Sequence, residues 1–330
     1  MGDTTHDVLC IGNAMVDVLA HTSDEQIDRL GMVKGAMTLI DADRAQAIYA
    51  AMPPAVEVSG GSAANTAVGV AALGARAAYI GVVGRDQLGD VFRHDIRAAG
   101  VAYDVPAVAD LATGRCLILV TPDAHRTMNT FLGAGAELGP EDVDDRIVAA
   151  SAVTYLEGYL WDPPRAKEAF LKAVEIAHRA GRRVALTLSD PFCVERHRSE
   201  FRDLVRKHVD VLFANEAEIL SLYQVDDFDE AVRHVREECD VAALTRSERG
   251  SVAVSRDELV AVPAERIDRL VDTTGAGDLY AAGFLVGLVH DRPLRVCARM
   301  GGIAAAEVIS HFGARPEQPL GDLVTAALAR

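Results

Sequence analysis

The chain lacks an excess of positive charge, a long apolar run and any clustered cysteines. Lys and Arg number 33 against 49 Asp and Glu, a net charge of −16 in 330 residues. Such a chain repels a phosphate backbone, so no nucleic-acid partner is expected. No stretch approaches the ~20 apolar residues of a membrane span, and the amino terminus has no basic segment ahead of its apolar part. Neither a membrane partner nor a signal peptide is therefore expected. The five cysteines are odd in number and widely spaced without Cys-x-x-Cys, which argues against a disulfide framework and for a reducing, cytoplasmic setting. The ten histidines show no His-Glu-x-x-His or similar metal spacing. GxGxxG and GxxxxGK[ST] are both missing, so dinucleotide and P-loop explanations lack their residues.

What is present is ordinary globular material, 50% hydrophobic and 25% charged, in a chain long enough to bury a sizeable core. The expected partner is a small molecule, and the protein is expected to be a monomer or homodimer. Short apolar strands at residues 152–156, 184–188, 209–214, 241–245 and 251–255 alternate with helices at 164–180, 199–207, 215–223 and 228–238. That alternation predicts an α/β fold around a mostly parallel sheet covered on both faces. Earlier, residues 7–12, 15–20 and 36–40 read as strands, followed by a helix at 45–52 that Asp41 or Asp43 caps, a helix at 63–73, a strand at 77–83 and a helix at 88–99. Residues 116–120 and 126–131 read as a hairpin. The early strands and the hairpin have no crossover helices, so they are assigned to a small β lid (13–40 and 113–132) on a large domain (1–12, 41–112 and 133–330).

The most informative stretch is Asp272-Thr273-Thr274-Gly275-Ala276-Gly277-Asp278. Two glycines let the chain turn into a helix whose free amides converge on an anion. A carboxylate at the edge of a phosphate cradle makes sense as the acceptor of a proton from an attacking hydroxyl, although Asp278 also suits a helix cap. Gly60-Gly61-Ser62-Ala63-Ala64-Asn65 is a second glycine turn entering a helix, where Asn65 can reach a sugar hydroxyl; a purely structural turn is the alternative. Asn215, Glu216 and Glu218 begin a helix at the carboxyl end of a strand, a setting for water-bound Mg²⁺ or for simple capping. Asp17, with Gly12-Asn13 before it, sits on a short apolar strand and needs a partner such as ligand hydroxyls. Asp190 and Arg126 are weaker candidates.

Together these residues resemble the ribokinase-like, or PfkB, family of carbohydrate and nucleoside kinases over nearly the whole chain. The Gly60–Asn65 turn, Gly84-Arg85-Asp86 through Gly89 and Phe92, and the Asp272–Asp278 heptad carry the resemblance. It implies a three-layer fold with a small β-sheet lid, ATP as phosphoryl donor and Mg²⁺. It further implies Asp278 as the base, Gly275, Ala276 and Gly277 as the anion hole, and Asn215 with Glu218 as a magnesium-associated pair acting through water. Asp17 with Gly61 and Asn65 would hold sugar hydroxyls, joined by Asn13, Gly60 and Ser62. Thr245, Arg246, Gly250 and Thr274 would line the donor, and Asp272 would mark a monovalent-cation site for K⁺. Residues 12–17, 60–62, 126–134 and 157–161 look most like the family's adenosine-kinase branch, with Phe131 or another lid apolar side chain packing on a base, and another nucleoside or a free sugar as the alternative acceptor. Ser247 stands where the family often has glycine.

Overall fold

The computed structural model describes residues 4–123 and 125–329; Ala124, in the bend of the expected hairpin, lies outside them. Strands β1 (His6–Ile11), β2 (Met15–His21), β3 (Met37–Leu39), β4 (Val56–Gly60), β5 (Ala77–Ile80), β6 (Gly114–Val120) and β7 (Arg126–Phe131) form in the first half. The second half adds β8 (Ser151–Glu157), β9 (Arg183–Thr187), β10 (Val211–Asn215), β11 (Val241–Thr245), β12 (Ser251–Ser255) and β13 (Leu259–Val262). Eight of them make one sheet in the order β13-β12-β11-β10-β9-β8-β1-β5, parallel from β11 to β5 and closed at the other edge by an antiparallel hairpin. Because the strands run parallel, the segments after β1, β8, β9, β10 and β11 all leave at one edge of the sheet. That carboxyl edge is where open α/β sheets bind ligands.

The other five strands form a small sheet in the order β3-β7-β6-β2-β4. Strand β4 comes from within residues 41–112, which the sequence pattern assigns wholly to the large domain. Five residues holding Glu57 and following Pro53-Pro54 give too little alternation to register as a strand. The short helix Asp24–Arg29, capped by Ser23, and β13 also escape the periodicity; the helical run Pro191–Lys207 is broken at His197, so the expected 199–207 is its second part, and a first part with Asp190 as its cap and Pro191 in its first turn precedes it. Asp41, rather than Asp43, caps the helix Ala42–Ala51.

One pairing of helices positions the site. Helices Ser62–Ala72 and Ala276–Val289 lie against each other, with Gly69 at the crossing: a Cβ there would come within 2.6 Å of Leu279 and 2.7 Å of Ala282. The second helix is buried from Leu279 to Leu288. Its backbone also meets that of helix Leu294–Val308, where a Cβ on Gly283 would stand 2.5 Å from the Met300 carbonyl. Phe92 belongs to the core, grouped with Tyr79 and Tyr103 at ring separations of 5.5–5.8 Å. All five cysteines are buried free thiols.

Asp86 links the large sheet's flank to the start of β6. Its carboxylate accepts from the Gly89 amide at 2.8 Å, capping helix Gln87–Ala98, and from the Thr113 amide and hydroxyl at 2.8 and 2.5 Å. Losing a cap costs about 1 kcal/mol, and stranding a partly buried amide adds about as much again. Asp86→Ala is expected to lower unfolding free energy by about 2–3 kcal/mol in urea titration, and Asp86→Asn by clearly less; equal losses would remove the Thr113 contacts from the account.

Candidate active site

Two glycine turns open onto one carboxylate. Gly61 has φ +100°, and a Cβ on it would meet the Asn13 carbonyl at 2.1 Å, so the turn after β4 admits only glycine at that point. Gly275 has φ +77° and begins helix Ala276–Val289, whose amino end carries no side-chain cap. A Cβ on Gly277 would find nothing within 4 Å, so there is open space beside the first turn of this helix, a fit for an anion. Between the turns stands Asp278. Its Oδ1 accepts from the Ser62 hydroxyl at 2.6 Å and its Oδ2 from the Asn65 amide at 2.9 Å. Burial raises its pKa above the usual carboxylate range, against the pull of Ser62, Asn65 and the Arg315 guanidinium.

Asp17 lies on the inner face of the small sheet, 9% exposed, with its carboxylate pressed against Gly60. Among the described residues no group donates a hydrogen bond to it. Burial pushes it up to about 7 even though Arg315 and Arg126 draw it down, while Asp278 and Asp272 push the same way as burial. A buried carboxylate without donors is costly unless a ligand supplies them. The amide oxygens of Asn13 and Asn65 are likewise buried and unpaired.

Glu157, at the end of β8, has no role that the sequence alone assigns. It accepts from Asn13 Nδ2 at 2.8 Å and from the Ala63 amide at 2.8 Å, so it holds the end of β1 against the first turn of helix Ser62–Ala72. Burial pushes it up to about 7, outweighing those two donors. A lone acidic residue closing an otherwise apolar strand was the signal available.

The structure moves the aromatic candidate. Along β7 side chains alternate, so Arg126, Met128 and Thr130 share a face with Asp17 while Phe131 points the other way, opposite Arg115 and into the main core. Phe131 therefore does not line the acceptor face. The Asp17 face carries Leu19, Cys116, Ile118, Val120, Met15, Val58 and Met128, and the aromatic packed on it is Phe312, stacked on His21 at 5.3 Å.

On the donor side, Asn215 and Glu218 form a reciprocal cap. Asn215 donates to Glu218 from its backbone and side-chain nitrogens at 2.9 and 2.5 Å, and accepts from the Glu218 amide at 2.9 Å. Glu218 is 4% exposed, and burial pushes it up to about 7. With both oxygens engaged, it fits a water-mediated role near Mg²⁺ better than direct ligation. Thr245 ends β11. The Arg246 guanidinium is committed to Glu216 at 2.9 Å and to the Phe228 ring, so its charge is already paired. Gly250 has φ +84° and Ser247 φ +51°, a left-handed position that explains why glycine suits it. Asp272 accepts from the Thr274 amide and hydroxyl at 2.9 and 2.6 Å and from the Gly313 amide at 3.0 Å, and faces Arg126 at 3.1 Å. Asp272 thus acts as a staple between the anion turn and the loop that follows helix Leu294–Val308, with the Arg126 cation beside its Oδ1.

A buried carboxylate fixed between two glycine turns, with a second buried carboxylate beside it and both near the carboxyl edge of a parallel sheet, fits a phosphotransferase acting on an alcohol. Residues 6–320 match the pfkB family carbohydrate kinase, and the chain belongs to that family of ATP-dependent phosphotransferases. Adenosine kinase of Saccharomyces cerevisiae is 29% identical over 94% of this chain and 96% of its own length. The structure of an adenosine kinase from Sinorhizobium meliloti superposes with a TM-score of 0.91 at 54% identity, covering 98% of this chain and 99% of that one. A probable sugar kinase from Rhizobium etli superposes with a TM-score of 0.93 at 52% identity over the same shares. Family membership carries ATP and a divalent metal with it. No helix among the described residues is long and apolar enough to cross a membrane.

A free glutamate side chain titrates near ~4.3, whereas folded Glu157 does so at about 7. Between those values the folded state holds the extra proton, so this group makes the fold lose stability as pH rises through that window. Glu157→Gln is expected to flatten the slope: relative to wild type, the variant gains stability from pH 5 to 7.5 in urea titrations. Parallel slopes would refute the buried-acid assignment.

Proposed function

We propose that the protein is an adenosine kinase that transfers the γ-phosphoryl group of ATP to the 5′-hydroxyl of adenosine, giving AMP and ADP. The observation that carries this reading is the pairing of Asp17, a buried carboxylate without donors, with an apolar face beyond it. Asp17 accepts from the two ribose hydroxyls, with the Gly60–Gly61 turn close beneath and the free oxygens of Asn13 and Asn65 nearby. Beyond the ribose, Leu19, Ile118, Met128 and Phe312 offer dispersion and stacking to a flat base and nothing to further sugar hydroxyls.

Asp278 then takes the proton of the 5′-hydroxyl as that oxygen attacks. Its raised pKa suits it to hold the proton, and Ser62 and Asn65 fix the direction of its oxygens. The amides of Gly275, Ala276 and Gly277 receive the charge on the transferring group. Arg126, reaching from β7 to within 3.1 Å of Asp272, sets a positive charge at the mouth of the same turn. Glu218 would hold Mg²⁺ through water, and the ion would supply further neutralisation of the donor phosphates.

Asp278→Asn is expected to keep substrate binding and lower kcat by ~10²-fold or more, read as ADP release; near-normal turnover removes it as the base. In a panel of adenosine, inosine, guanosine, ribose and fructose, adenosine is expected to be used best, with AMP identified by mass. Phe312→Ala should raise KM for adenosine by about tenfold and leave KM for ribose unchanged. Selective turnover of ribose or fructose would instead make the protein a sugar kinase, with the apolar face unused.

A further inference from the structure

Arg315 lies in the loop after helix Leu294–Val308 and attracts no attention in the sequence. Its guanidinium donates to the Ser59 carbonyl from Nε at 3.0 Å and from Nη2 at 2.6 Å, to the Ser59 hydroxyl at 2.9 Å, and to the Ala64 carbonyl from Nη1 at 2.9 Å. Ser59 and Ala64 stand on either side of the Gly60–Gly61 turn. The two residues before Arg315 hold the other turn: the Gly313 amide bonds Asp272, and Ala314 stands where a Cβ on Gly275 would come within 2.8 Å. Three consecutive residues therefore touch both halves of the site.

Among the described residues no carboxylate forms an ion-pair contact with Arg315. Its charge acts instead through the field on the two acceptor-site acids, lowering the pKa of Asp17 and of Asp278. Burial brings Arg315 itself down to about 10, which leaves it protonated at neutral pH. The other groups facing this cluster are mostly acidic. Asp17 also feels Asp278, Asp272 and Arg126, and stands in register with Cys116 on the neighbouring strand, whose thiol feels its charge. Asp278 is faced by Ser62 and Asn65, and lies within the field of Glu157, Tyr155 and Cys10. Arg315 is faced by Asp95 and Tyr79 as well. Arg126 is the remaining cation, and Asp272 already pairs with it.

We propose that Arg315 is a positioning residue for phosphotransfer: it locks the acceptor turn against the anion turn and supplies a positive field that favours the ionised forms of Asp17 and Asp278. This rests on Asp278 being the base. A planar fork reaches both Ser59 and Ala64 in a way a lysine ammonium does not.

The test measures kcat/KM against pH by ADP release, with the best acceptor of the panel, for wild type, Arg315→Gln and Arg315→Lys, with thermal melting as the check on folding. Arg315→Gln removes the charge, and its acid limb is expected to move to higher pH by about one unit. Arg315→Lys keeps the charge and loses the fork, so its acid limb should stay in place while KM for the acceptor rises about tenfold. A folded Arg315→Gln whose acid limb is that of wild type overturns the proposed field, and Arg315→Lys with a wild-type KM overturns the proposed lock. If Arg315→Gln does not fold, Arg315→Met replaces it; if neither does, Arg315→Lys decides alone, and a wild-type KM overturns the proposal. Full turnover by Asp278→Asn would instead defeat the reading on which it rests.

Discussion

The structure turns on a carboxylate held between the first turns of two helices. Asp278 belongs to the helix that begins at the anion turn, and the donors that fix it, Ser62 and Asn65, belong to the helix that begins at the acceptor turn. That contact exists because Gly69 lets the two helices approach more closely than any side chain would allow. Both helices point their positive ends at the same small volume, which favours an anionic group there and offsets part of the cost of burying Asp278. The parallel sheet beneath fixes where each helix starts. Phosphoryl transfer asks the protein mainly for placement and charge, and this junction supplies both.

The charge balance of the site is local and runs against that of the chain. A protein with net charge −16 gathers Asp17, Glu157, Asp272 and Asp278 around the two glycine turns proposed to receive the phosphoryl group. The repulsion is met by three features: the uncapped amino end of helix Ala276–Val289, the Arg126 guanidinium brought by the small sheet, and Arg315 beneath. Burial leaves Asp17 and Glu157 near neutrality in their titration, so the site does not carry its full formal charge before ligands enter.

Much of this was legible in the chain. The regular strands and helices after residue 150 declared a parallel sheet because strands buried on both faces are uniformly apolar and their crossovers are amphipathic. The two glycine turns were legible because only glycine tolerates what the backbone does there. The misses have physical causes too. Strand β4 is a short edge with a charged residue, and its membership of the small sheet is set by pairing with β2, not by its own pattern. Phe131 drew attention as an aromatic in the hairpin, yet a one-residue step along a strand decides which face a side chain takes. Arg315 and Glu157 act through contacts with residues far away in the chain, and no local spacing reports such a contact.

The loop from Ile309 to Gln318 is short and does three things at once. Phe312 closes the apolar face, Gly313 and Ala314 back the anion turn, and Arg315 braces the acceptor turn. On the proposed reading, acceptor choice and catalytic competence are thereby written within four successive codons. A lineage drifting toward a new base by insertion or deletion here would shift the brace along with the platform, so change of substrate is channelled into single replacements at Phe312 or into the opposing strands. The loop makes the acceptor preference of such an enzyme slow to wander even where the surrounding surface is free to change.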